Sequence, residues 1–200
     1  MKINFYALRA IYLHEMDRFR RTLTQSVLSP VLTTSLYFIV FGSVIGGYVE
    51  KIDGISYGSY IVPGLLMLTL LTQSISNTSF GIFFPKFNGT IYEILAAPIS
   101  TLEVVLAFVG AGATKTLIVS IIIFITSLFF VDVQVKYPLL MIFLLILVAF
   151  TFALFGFLIG LISSDFEQMS IIPTLFVTPM VFLGGSLLSL IHISEPTRPS

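Results

Sequence analysis

Five long apolar stretches alternate with short polar segments along the chain, at about 27–47, 60–84, 106–130, 138–162 and 171–187. Each is apolar on every side rather than along one stripe, and each fits the ~17–25 residues a helix needs to cross a hydrocarbon core. Backbone in lipid has to satisfy its own hydrogen bonds, so stretches of this length predict helices and not the strands of a barrel. The connecting segments 49–59, 85–103, 131–137 and 163–170 are short. The pattern therefore predicts an all-α fold, a polytopic transmembrane helical bundle. Ahead of the first span, Phe5, Leu8, Ile11, Tyr12, Phe19 and Leu23 recur at helical spacing among Arg9, Glu15, Asp17, Arg18, Arg20 and Arg21. Residues 1–25 are thus expected to form a cytoplasmic amphipathic helix along the inner headgroups, its arginines close to anionic membrane lipid. A basic flank that is merely helical is the plainer alternative.

Composition strengthens the membrane assignment. Charged residues are 10% of the chain against 56% hydrophobic, and mean hydropathy is +1.04. Soluble domains carry about 25% charged residues. Net charge is zero, which gives no ground for a nucleic-acid partner. No Cys is present, so disulfides and thiolate metal sites are excluded. The placement of charge sets the orientation: Lys2, Arg9, Arg18, Arg20, Arg21 and Lys86 fall on one side, Lys51 and Lys136 on the other. Basic residues favour the cytoplasm, so the N-terminus is expected inside.

The two inner loops contain helix signals. Asn88-Gly89 marks a turn, Thr90 and Glu93 have the spacing of a capping box, and Pro98 ends the segment. A helix of about two turns is predicted, with Ile91, Ile94 and Leu95 on one face, too short to stand without a surface to pack on. Ser164 and Glu167 repeat the capping pattern before the fifth span.

Polar groups inside the spans are the candidates for transport chemistry. In the second span Thr69, Gln73, Ser76 or Asn77, and Phe80 share one helical face. That face is expected to point inward, either lining a substrate path with Thr33 and Thr34 of the first span or making interhelical hydrogen bonds. Lys115 is expected to mark a third span that starts late, its amine reaching the inner headgroups while 101–112 forms an interfacial segment with Glu103 as its companion. The alternative is a lining group beside the path. Gly42/Gly46 and Gly156/Gly160 fit the small-xxx-small pattern for close helix packing within the chain. Gly110-Ala-Gly-Ala-Thr-Lys115 is not a phosphate loop, since Thr114 stands where that motif needs Gly. No carboxylate pair, Ser/His/Asp set or metal cluster is apparent, so no catalytic residue, cofactor or metal site is expected.

The order of these pieces resembles the ABC-2 type permeases, the membrane subunits of bacterial exporters. It is carried by the basic amphipathic helix, Tyr60-Ile-Val-Pro63-Gly64, Lys86-Phe through Glu93-Ile-Leu-Ala-Ala-Pro98, Ser164-Asp-Phe-Glu-Gln-Met-Ser-Ile-Ile-Pro173 and Thr178-Pro179 through Gly184-Gly185. The resemblance covers about 1–187. It implies a multi-pass protein of the bacterial inner membrane, ATP hydrolysis in a separate ATPase subunit, and a second permease copy forming a homodimer. It also implies export of a drug, lipid or polysaccharide-type substrate, and a sixth span. By position it makes Thr90, Ile91, Glu93, Ile94, Leu95 and Pro98 the ATPase-coupling helix. Other classes would look different. An ATP-independent carrier is expected to hold several acidic residues within its spans, and a structural membrane subunit would have no ATPase encoded beside it. From Leu188 to Ser200 the sequence resembles the translation of a sequencing-library adapter, and 188–200 is expected to be a non-native tail.

Overall fold

A computed structural model describes residues 4–40, 57–131, 135 and 137–183. The expectations for Gly42/Gly46 and for the tail 188–200 lie outside the described residues. Among the described residues the fold is all helical: α1 Phe5–Arg21, α2 Leu23–Tyr37, α3 Tyr57–Phe87, α4 Ile91–Ala96, α5 Thr101–Leu128, α6 Pro138–Ile162 and α7 Phe166–Leu183. Leu23–Val40, Thr101–Leu128 and Pro138–Ile162 are long and apolar enough to cross a membrane. Along α6, Leu139, Phe143, Leu147, Phe150, Leu154 and Leu158 are exposed. So broad an apolar face has lipid, not water, as its natural solvent.

The core is built where α3 meets α6 and α5. Ala107, Ala111, Ala113, Ala149 and Ala153 are fully buried, so the backbones approach closely. Gly156 and Gly160 seat α6 directly on α3. A Cβ on Gly156 would stand 2.5 Å from the Ile75 carbonyl oxygen, and one on Gly160 2.6 Å from that of Ser79. The pair therefore packs within the chain, as its spacing suggests. Leu70, Ile82, Phe108 and Phe157 fill the volume around this contact.

The polarity of the bundle follows from contacts at its ends. At one end the backbone N–H of Asn4 donates to Glu103, and Lys86 Nζ donates to the carbonyls of Leu161 and Ser163, both at 2.8 Å. That cation meets the negative end of the α6 dipole. Phe166 packs edge-on against Phe83 and Phe87, centroids 4.8 and 4.9 Å away, fixing the start of α7 to the end of α3. At the other end Phe38 stacks on Phe130.

Three local expectations are corrected. Thr90 makes no capping bond: Gly89, at φ +79°, turns the chain, and Thr90 is already helical at φ −67°, ψ −14°, so its hydroxyl points back to the Pro85 carbonyl. Before α7 the returning side chain is Gln168, which accepts from the Ser164 N–H, rather than Glu167. The complete capping box is at α5, where Ser100 and Glu103 satisfy each other's backbone N–H groups. With that cap α5 runs unbroken from Thr101, and 101–112 is part of it rather than a separate interfacial segment.

Candidate translocation and coupling sites

The amphipathic helix α1 lies lengthwise along α5. Asn4 meets Glu103, Tyr12 Oη donates to Thr114 Oγ1 at 3.0 Å, and Phe19 packs with Val119 and Ile123. Between these contacts Glu15 comes to Lys115. Its Oε2 accepts from Lys115 Nζ at 2.8 Å and from Arg18 Nη2 at 2.8 Å. Glu15 is 1% exposed and Lys115 3%. Lys115 therefore does not reach for headgroups, and its companion is Glu15, not Glu103. The physical reason is the passage of α1. An ionised amine in an apolar helix needs a counter-charge, and the neighbouring helix supplies one at hydrogen-bonding distance. Glu103 is engaged elsewhere, holding Asn4 and the first turn of α5.

Beside this cluster the polar face of α3 forms one wall of a cavity of about 350 Å³. Arg18, Ser76, Asn77, Phe80, Phe84 and Lys115 are among the residues that line it. Asn77 Nδ2 lies 3.3 Å from Gln73 Oε1 and 3.4 Å from Thr116 Oγ1, which links α3 to α5 one residue from Lys115. Of the expected path residues, Gln73, Asn77 and Lys115 are thus brought together. Thr69 is half-buried two turns away and donates to the Leu65 carbonyl of its own helix. Thr33 is exposed on α2 and does not line the cavity, whereas its neighbour Thr34 is buried. Ser74 and Thr78 face the other way, into the core, and their hydroxyls have no protein partner there.

The short helix α4 sits at the end of the bundle that holds Asn4, Lys86 and Ser163. Ile91 and Ile94 pack on the core formed by α3, α5 and α6. Tyr92 and Leu95 project outward at 72% and 67% exposure, with Glu93 and Pro98 also exposed. The surface that a two-turn helix needs is supplied by its own chain, which leaves the opposite face open. The apolar face expected to be uniform is thereby divided: two isoleucines inward, one leucine outward.

Glu15 and Ser100 are the participants that sequence reasoning passed over. Glu15 interrupts the apolar series Leu8, Ile11, Phe19 with an acid, and Ser100-Thr-Leu-Glu103 has the full capping-box spacing. Both signals were present in the sequence.

A family model described as ABC-2 type transporter matches residues 6–197. Over 190 residues the chain is 38% identical to the inner membrane transport permease YadH of Escherichia coli (strain K12), covering 95% of this chain and 74% of that protein. It is 22% identical over 177 residues to nodulation protein J of Azorhizobium caulinodans, covering 88% and 70% of the two chains. With nodulation protein J of Rhizobium meliloti (strain 1021) the identity is 23% over 182 residues, covering 89% and 68%. No solved structure matches significantly.

Proposed function

The chain belongs to the ABC-2 type transporter family, and on that ground we propose that it exports a drug, lipid or polysaccharide-type substrate from the cytoplasm as one of two permease copies. It is the membrane permease of an ABC transporter, not itself an enzyme, and the family implies an ABC ATPase as its partner. Its relative YadH is named an inner membrane permease, in agreement with a multi-pass protein of that membrane.

The observation that carries the mechanism is the divided face of α4. Ile91 and Ile94 anchor the helix to α3, α5 and α6, while Tyr92, Glu93 and Leu95 stand free to engage the ATPase. A push on the free face would then pass through the anchored face into the spans. ATP-driven closure of the ATPases would move α4, and the bundle would open its path to the outside. Gln73, Asn77 and Lys115 are the groups placed to meet substrate within this chain; Thr33 and Thr69 would join the path further along the spans. The N-terminus is assigned to the cytoplasm. Helix α1 starts there but runs along α5 and not, as its amphipathic pattern suggested, along the inner headgroups, because its polar and apolar groups find partners on α5. Residues 1–187 are assigned to the permease domain, with spans near 27–47, 60–84, 106–130, 138–162 and 171–187.

Co-purification with the ABC ATPase encoded beside the gene tests the coupling role. Tyr92→Ala with Leu95→Ala, or Glu93→Lys, should abolish association while leaving membrane insertion intact. Retained association in both variants would remove α4 as the docking element. Ile91→Ala with Ile94→Ala should instead lower the melting temperature of the permease alone.

A further inference from the structure

We propose that the cavity between α1–α2 and α3–α5 binds the phosphate-type head group of an amphiphile. Arg18 and Lys115 both meet one oxygen of Glu15, each at 2.8 Å. One carboxylate between two cations leaves surplus positive charge, and both cations line the cavity. An anion is the occupant that balances it.

The donors favour an oxyanion with several acceptors. Among the described bonds Arg18 engages Glu15 through Nη2 alone, so Nε and Nη1 remain for a second oxyanion. Gln25 and Ser76 supply an amide and a hydroxyl donor on the same lining, while the Asn77 amide and the Ser26 hydroxyl are engaged within the chain. A phosphate ester can accept from all of these directions at once. Phe80 and Phe84, one turn apart on α3, complete the wall and are both also exposed at the surface of the chain. They form an apolar ramp from the cations outward, where a tail would lie. The volume sits at the small end of the ~300–1,000 Å³ typical of ligand pockets, enough for a head group with its tail outside. This assignment rests on the path reading only for where the amphiphile goes next; occupancy itself needs no ATPase.

Native mass spectrometry of the purified chain in detergent tests it, with phosphatidic acid, phosphatidylcholine of equal chain length and inorganic phosphate as probes. Phosphatidic acid should be retained about tenfold better than phosphatidylcholine, or ~1.4 kcal/mol, and inorganic phosphate in large excess should not displace it. Arg18→Gln should reduce phosphatidic acid to the phosphatidylcholine level. Arg20→Gln, whose side chain is exposed and outside the lining, should change nothing. Glu15→Leu with Lys115→Met removes one charge of each sign, leaves Arg18 as the surplus cation and should keep the preference for phosphatidic acid. Loss in Arg18→Gln is then traced to that cation and not to a disturbed join of α1 to α5. Equal retention of the two lipids would overturn the proposal, as would equal loss in the Arg18 and Arg20 variants. Displacement by inorganic phosphate would overturn the amphiphile assignment. Loss of ATPase association in the α4 variants is a separate measurement and leaves this result unaffected.

Discussion

At the scale of single residues, Glu15 and Lys115 define the join between the amphipathic helix and the spans. Neither is stable alone where it lies. Their side chains are almost completely buried, so removing one partner leaves an uncompensated charge away from water. Breaking such a pair costs about 3–5 kcal/mol, while replacing both members by apolar groups of similar volume is close to neutral. Arg18 differs, because its side chain is 27% exposed and retains water when Glu15 is lost. Glu15→Leu should therefore lower the melting temperature sharply, and Arg18→Gln only slightly. Adding Lys115→Met to Glu15→Leu should recover most of the loss. Fluorescence-detected size exclusion after heating reads all of these variants. A double variant as unstable as Glu15→Leu alone would mean that the pair is not what joins α1 to α5.

At the scale of elements, the contact of α6 with α3 depends on the absence of side chains at Gly156 and Gly160. A methyl at either position would meet backbone oxygen of α3, which cannot swing aside as a side chain can. Gly156→Ala or Gly160→Ala should force the helices apart, at about 1–3 kcal/mol each. Gly110→Ala, whose added carbon would find nothing nearer than Tyr12 at 4.0 Å, should be neutral or slightly stabilising. Melting temperatures of the three variants check this, and equal values would argue that the close approach is not needed. The glycine spacing was legible because small-xxx-small is a local pattern. The helices were legible for the same reason, since burial in lipid selects long apolar runs without regard to partners. What escaped was non-local. Glu15 and Lys115 are 100 positions apart, and no local rule pairs them. The inward turn of Ile91 and Ile94 was likewise set by where the ends of α3 and α5 stand. The capping boxes failed differently: Ser/Thr three residues before Glu is satisfied at Ser100, but at Thr90 the preceding glycine turn has already committed the backbone to the helix.

At the scale of the whole molecule, one end of the bundle gathers Asn4, the α3–α4–α5 corner and the α6–α7 corner, joined by the bonds of Glu103 and Lys86. The opposite end holds the Phe38–Phe130 stack. The structure makes these ends distinct, and charge assigns them to compartments. Arg9 and Lys86 belong to segments that start or turn at the first end, while Arg18, Arg20 and Arg21 close α1 further along α5. Lys51 and Lys136 lie outside the described residues. Basic residues are retained in the cytoplasm, so the first end should face inward. Alkaline phosphatase fused after Val135 should then be active, and fused after Arg21 or Ala97 inactive, with green fluorescent protein giving the converse. The same experiment constrains the mechanism, because α4 lies at the end with Asn4 and Lys86. Were the Ala97 fusion exported, α4 would face the side without ATP, and no ATPase could drive the permease through Tyr92 and Leu95. Orientation and coupling therefore stand together, and a topology reporter can refute the docking assignment before any partner is purified.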